Sequence, residues 1–188
     1  MFDEMPTMSP SEKPFYRDNP RCFIRPPRLV EAWITRDNIN ALIRDNGASG
    51  EIDLLSIDID GNDYWIWEAI ECINPRVVIV ECQANGWGHS RAVTIPYQED
   101  FVADFITDGS GCIYLGASLP AFVNLGKKKG YRLVGVERYG FNAFFIRDDI
   151  GVASFPEKSA KECLEKSFRT FVQMPMAESF YNKPWIDV

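Results

Sequence analysis

The sequence predicts an α/β fold with a mostly parallel sheet that ends in an antiparallel hairpin. Two apolar segments, residues 53–59 and 76–81, have the β-branched composition of strands that are buried on both faces. Apolar residues at helical spacing lie between them, and the order strand, helix, strand implies a right-handed crossover and a parallel pair. Two later segments, Tyr131–Val136 and Asn142–Arg147, flank a glycine-containing turn and therefore predict the hairpin.

The 188 residues divide into three predicted parts. Residues 1–28 contain many prolines and methionines and show no periodicity, so we expect a loosely ordered segment. Residues 29–150 form the α/β domain. Residues 151–188 add a helix and a tail that pack on the same domain.

Turn and capping residues predict the smaller elements. They are a short strand at residues 29–34, a helix from a Thr35 cap to Asn46, a short helix at residues 97–107, a helix from a Ser118 cap to Gly130, and a last helix from Pro156 through Phe171. The tail that follows is predicted to have no regular structure, and to pack through its aromatic residues.

Composition excludes several classes of function. A net charge of −7 does not fit a nucleic-acid-binding surface. No apolar run approaches the ~20 residues that a membrane span needs. The five cysteines form no CxxC pair, and the N-terminus has no apolar signal segment, so the expectation is a cytoplasmic protein with reduced thiols.

Four acidic residues follow or end the two predicted parallel strands. Asp58, Asp60 and Asp63 come at the end of the first strand, and Glu81 ends the second. Since ligands of open α/β sheets bind at the carboxyl ends of the strands, we expect Asp58, Asp60 and Glu81 to line the main crevice. Three acids within six residues could also hold Mg²⁺ or Ca²⁺, which predicts Asp58, Asp60 and Asp63 as metal ligands. The alternative is ordinary turn and capping chemistry.

Three further residues near these acids carry candidate roles. Gly61 permits a sharp turn out of the strand, and Asn62 is placed to cap the helix that follows. His89, the only histidine, lies in a glycine-containing loop and could act as a general base, because its ordinary pKa is near 6.5. The alternative for His89 is a solvent-exposed loop residue.

The motif SIDIDG at residues 56–61 resembles the signature on the fourth strand of FkbM-type methyltransferases, which use S-adenosylmethionine. Further segments follow in the order and spacing of one branch of these proteins, and the similarity covers roughly residues 35–147. The segments are RVVIVE, TIPY, YLGASLPAFVNLGKKKGYRLVG and NAFFIR.

The resemblance implies a Rossmann-like class I methyltransferase sheet whose last strand is reversed. It implies O-methylation of a small molecule or glycan, with Asp58, Gly61 and Asn62 at the cofactor and with Asp58, Asp60 and Glu81 as catalytic residues. His89 is a further catalytic candidate from its own chemistry. Residues 1–47 contain no GxG, so the chain resembles the C-terminal two-thirds of such an enzyme. We therefore expect weak binding of S-adenosylmethionine, or none. We also expect an open sheet edge that a second copy or a partner chain covers.

The sequence also fits two other functions. The residues DIDG at 58–61 also resemble the nucleophile motif of haloacid-dehalogenase-like phosphatases, in which the first acid attacks phosphorus and the second acts as acid and base with Mg²⁺. The chain could also be a binding module without catalysis.

Overall fold

The computed structural model describes residues 28–83, 86–106, 113–167 and 176–188, and the chain divides into two compact units, Met1–Ile34 and Thr35–Val188. In the first unit, residues 28–34 have no regular secondary structure, so the strand predicted at residues 29–34 is wrong. Leu29 and Val30 of this segment are exposed.

The second unit contains all the helices and strands of the described residues. The helices are α1 (Ile39–Asp45), α2 (Asp63–Ala69), α3 (Leu119–Lys129), α4 (Ala160–Glu165) and α5 (Glu178–Tyr181). The strands are β1 (Gly50–Ile57), β2 (Ile73–Glu81), β3 (Val93–Thr94), β4 (Asp104–Phe105), β5 (Ile113–Tyr114), β6 (Tyr131–Val136), β7 (Asn142–Arg147) and β8 (Ile186–Asp187).

The main sheet has the strand order β1-β2-β7-β6. β1 and β2 run parallel, with Leu54 opposite Val77, and β7 is antiparallel to both of its neighbours, with Val77 opposite Ile146. The predicted α/β class, the parallel pair and the C-terminal hairpin are therefore confirmed. The prediction of a mostly parallel sheet is wrong for the described strands, because the sheet is mixed and only the pairing of β1 with β2 is parallel. Because the two parallel strands point the same way, Ile57 and Glu81 end at the same edge of the sheet.

The first strand differs from its prediction in burial. In the sequence it has the composition of a strand that is buried on both faces, but β1 lies at the end of the sheet. Of its eight residues only Ile57 is buried, and the Leu54 side chain is 52% exposed. Apolar composition reports what a strand can bury, whereas the number of neighbouring strands decides what it does bury.

Several helix ends follow the capping signals. The Ser118 hydroxyl accepts a hydrogen bond from the backbone N–H of Ala121, and Gly130 ends α3 in the left-handed conformation with φ 82°. The helix predicted to start at Pro156 is α4, and it begins after Ser159 because Ser159 and Glu162 form a reciprocal capping box. Phe168 and Phe171, which were predicted to extend this helix, lie outside the described residues.

Two predictions of secondary structure, for residues 97–107 and for the C-terminal tail, are wrong within the described residues. The segment predicted as a helix at residues 97–107 has no helix in its described part, residues 97–106, and instead supplies β4, which pairs with β5. The tail, predicted to lack regular structure, contains α5 and β8, and β8 pairs with β3. Two-residue strands of this kind leave no periodicity in a sequence, so the pairing partner alone defines them.

The core lies between one face of the sheet and the helices α2 and α3. Trp67 of α2 is 1% exposed, and its ring contacts those of Phe122, Tyr131 and Phe145 at centroid distances of 6.2, 5.9 and 5.1 Å. This packing fixes α2, and therefore the loop that leads into it from β1. None of the described helices is both long and apolar enough to cross a lipid bilayer.

Candidate functional site

Three of the predicted acids meet at the carboxyl edge of the parallel pair. Asp58 and Asp60 follow β1, Glu81 is the last residue of β2, and one carboxylate oxygen from each lies within 4.8 Å of the other two. Asp58 and Asp60 are exposed and Glu81 is half-buried. We call these three residues the carboxylate cluster. The three side chains therefore meet as the parallel strand order predicts, and their place in a ligand-binding crevice stays a prediction.

The turn between β1 and α2 positions the side chains of Asp58 and Asp60. Asp60 adopts a left-handed backbone conformation, with φ 54°, and in the described chain it is the one residue other than glycine to do so. Aspartate tolerates this conformation better than most residues because its short polar side chain can bond locally. The left-handed backbone at Asp60 allows one of its carboxylate oxygens to lie within 4.8 Å of one from Asp58, two residues earlier.

Asp63 holds this turn together and does not join the carboxylate cluster. Its Oδ1 accepts a hydrogen bond from the backbone N–H of Ile59 at 3.0 Å, and its Oδ2 accepts one from Gly61 at 2.9 Å. Burial raises the pKa of the Asp63 carboxyl, against the lowering effect of these two hydrogen bonds, and the negative charge of Asp58 adds to the rise. Asp63 therefore positions the loop. The third carboxylate beside Asp58 and Asp60 is that of Glu81, and not that of Asp63 as the sequence predicted.

The two other residues predicted at the cofactor are covered by the loop that precedes β4. Gly61 and Asn62 are buried, and Asn62 donates a hydrogen bond from Nδ2 to the carbonyl of Gln98 at 2.7 Å. A Cβ atom at Gly61 would lie 2.3 Å from the ring of Phe101, so the glycine is required for this close approach. Nothing in the spacing of the sequence indicated that Gln98 and Phe101 would cover this turn.

Asn62 occupies the N-cap position of α2, as expected, but its side chain makes no capping hydrogen bond there. Its Oδ1 is buried and accepts no hydrogen bond. His89 is exposed, in a turn where the Ser90 N–H donates to the carbonyl of Trp87 at 3.0 Å, and it is not among the residues of the carboxylate cluster.

Trp65 of α2 contacts the TIPY segment, residues 94–97, beside the turn. Trp65 of α2 donates a hydrogen bond from its ring nitrogen to the carbonyl of Ile95, and its ring lies edge-on to that of Tyr97. The guanidinium of Arg36 lies 5.2 Å from the Trp65 ring centroid and 5.4 Å from that of Tyr97. These contacts hold α2 against the TIPY segment, and they engage the Trp65 ring.

The carboxylate cluster carries a concentrated negative charge. None of the described arginines or lysines forms an ion pair with Asp58 or Asp60, and carboxylates this close repel one another. Hard divalent cations such as Mg²⁺ and Ca²⁺ prefer such oxygen ligands. The residues present therefore fit a divalent cation.

A search among protein-family models, characterised proteins and solved structures gives no match to this chain.

Proposed function

We propose that this chain is an O-methyltransferase of FkbM type in which Asp58, Asp60 and Glu81 hold a divalent cation beside the acceptor oxygen. The observation that supports this most is the convergence of the three carboxylates at the end of the parallel strands, where open α/β sheets bind their ligands. The reversed hairpin β6-β7, with β7 next to β2, also agrees with the class I methyltransferase sheet that the sequence resembles.

The roles of the chain's own residues follow from exposure and geometry. Asp58 and Asp60 are open to solvent and can reach an incoming ligand, whereas Glu81 is half-buried and is held at the end of β2. A bound cation would polarise a hydroxyl of the acceptor and so favour loss of its proton. A carboxylate at hydrogen-bond distance from that hydroxyl could accept the proton.

The fit to S-adenosylmethionine is poorer. Gly61 and Asn62 are covered by Phe101 and Gln98, which leaves Asp58 as the one exposed residue of the three that were predicted at the cofactor. Gly61 and Asn62 do not fit a cofactor contact, and the proposed cofactor rests on the sequence resemblance. When bound, S-adenosylmethionine would supply the methyl group.

The phosphatase alternative is supported by the same cluster, because Asp58 and Asp60 bring their carboxylates together as a DxD pair would around Mg²⁺. The third alternative, a binding module without catalysis, is supported by the covered Gly61 and Asn62. The methyltransferase and the phosphatase would both bind a cation, so cofactor binding and phosphatase activity must be measured to separate the three functions.

The first expected result concerns the cation. Calorimetric titration with Mg²⁺, Mn²⁺ and Ca²⁺ should detect a site, and Glu81→Gln should weaken it by about tenfold or more, because one charge at ~4 Å from a cation contributes on the order of 1–4 kcal/mol. Glu71→Gln is the matched control, since Glu71 is exposed and precedes the opposite end of β2. Equal affinities for wild type, Glu81→Gln and Glu71→Gln would contradict the site.

The second expected result concerns the cofactor. In the presence of the cation, calorimetry should detect S-adenosylmethionine binding weaker than micromolar, and Asp58→Asn should weaken it further. A Mg²⁺-dependent phosphatase activity that Asp58→Asn abolishes, without any binding of S-adenosylmethionine, would favour the phosphatase. A cation site with neither cofactor binding nor phosphatase activity would favour a binding module without catalysis.

A further inference from the structure

The outer edge of β1 is a long surface on which a further strand could pair. Among the described residues β1 has one hydrogen-bonded neighbour, β2, although it is eight residues long. Its sequence, GEIDLLSI, contains neither the proline nor the lysine that commonly protects such edges, and its pairing with β2 keeps one register throughout. Exposed edges of this kind promote pairing with another chain.

An apolar row leads across the sheet to this edge and ends at an exposed leucine. Ile146 lies opposite Val77, and Val77 lies opposite Leu54, so the three side chains share one face of the sheet. Ile146 is 8% exposed, whereas Leu54 is 52% exposed. The exposed end of the row lies in the middle of the free edge.

The two acidic residues of the edge have ion-pair partners within the sheet. Asp53 forms an ion pair with Arg76 at 3.4 Å, and Glu51 forms one with Arg147 at 2.6 Å. The edge can therefore approach a copy of itself with less repulsion than its two acids alone would cause.

We propose that β1 pairs antiparallel with β1 of a second copy of this chain, about a two-fold axis at Leu54. A two-fold axis normal to the sheet keeps each face continuous, so only residues on the same face can lie opposite each other. Two registers then pair the longest stretch of β1, one centred on Asp53 and one on Leu54. The first places two aspartates directly opposite, which is destabilising.

The register centred on Leu54 places no two like charges directly opposite each other. It places Leu54 opposite Leu54 of the second copy, Asp53 opposite Leu55, and Glu51 opposite Ile57. The leucine pair then covers the exposed end of the apolar row, and the two sheets join into one of eight strands. This interface is independent of the proposed function, because it uses the edge of β1 and not the carboxylate cluster.

A cysteine cross-link tests the register. Directly opposite residues of an antiparallel pair have Cα atoms ~4.5–5.5 Å apart, which suits a disulfide. Leu54→Cys should therefore form a covalent dimer on mild oxidation. Ser56→Cys, exposed on the same face, should not, because residue 56 lies opposite residue 52. The wild type controls for the native cysteines. Equal cross-linking of the two variants, or none in either, would overturn the proposal.

Sedimentation gives a second measurement on the same protein. The wild type should sediment as a dimer at micromolar concentration, and Leu54→Lys should sediment as a monomer, because two lysines would face each other on the axis. Leu29→Lys is the control, since Leu29 is 46% exposed and lies outside β1. A monomeric wild type, or a dimer that Leu54→Lys leaves intact, contradicts the interface.

Discussion

Trp67→Ala is expected to lower the free energy of unfolding by about 3–5 kcal/mol, the range for removing a buried aromatic side chain. The Trp67 ring is 1% exposed and contacts Phe122, Tyr131 and Phe145, which belong to α3, β6 and β7. Its loss would leave a cavity where one helix face meets two strands. Since the free energy of unfolding of small domains is about 5–15 kcal/mol, this substitution would remove a large part of it.

Urea unfolding measures this effect, and Trp33→Ala is the control with the same change of side chain. Trp33 is 39% exposed, so its replacement should change the free energy of unfolding by less than about 1 kcal/mol. A similar loss in the two variants would show that Trp67 does not anchor the core. The fluorescence of the remaining tryptophans can report both transitions.

Asp63→Ala is expected to lower the free energy of unfolding by about 2–4 kcal/mol, because it leaves two backbone N–H groups without their acceptor. These groups belong to Ile59 and Gly61, within the turn that carries Asp58 and Asp60. The variant should therefore also bind divalent cations more weakly, although Asp63 is not in the carboxylate cluster. Retained stability together with full cation affinity would show that Asp63 has no positioning role.

Asp63→Asn removes the charge and one of the two acceptor oxygens, so the comparison with the wild type uses the pH dependence of stability and not its absolute value. Burial raises the pKa of the Asp63 carboxyl above its ordinary value of 3.8, so the folded protein takes up this proton at a higher pH than the unfolded chain does. The contribution of Asp63 to stability is then largest at low pH and is lost as the pH rises through the raised pKa. The wild type should lose stability relative to Asp63→Asn as the pH rises from the ordinary value of 3.8 through the raised pKa. A relative gain would mean that the two hydrogen bonds outweigh burial.

The strands and helix ends that the sequence predicted well are those with local causes. The hairpin bounds agree with the structure because a turn at Gly140 separates two apolar strands, and Ser118 and Gly130 mark the ends of α3 by capping chemistry. The meeting of Asp58 with Glu81 was also predictable, because a parallel pair brings two strand ends to one edge.

The features that the sequence did not predict depend on distant contacts. The exposure of Leu54 follows from the position of β1 at the end of the sheet. The covering of Gly61 follows from Phe101, forty residues later. The role of Asp63 was missed because a carboxylate next to other carboxylates looks like a further ligand, and only its two backbone hydrogen bonds reveal the difference.

The strand order also has a consequence for how the chain folds. β1, α2 and β2 are consecutive, and so are β6 and β7, but the centre of the sheet is closed by pairing such as Val77 with Ile146. Contacts between residues so far apart in sequence form slowly, because the intervening loop must first be closed. Hydrogen exchange during refolding should therefore show two cooperative segments, one from β1 to β2 and one from β6 to β7, which join late along β2 and β7. Asp58, Asp60 and Glu81 all belong to the continuous segment from β1 to β2, so they are expected to meet before the sheet is complete.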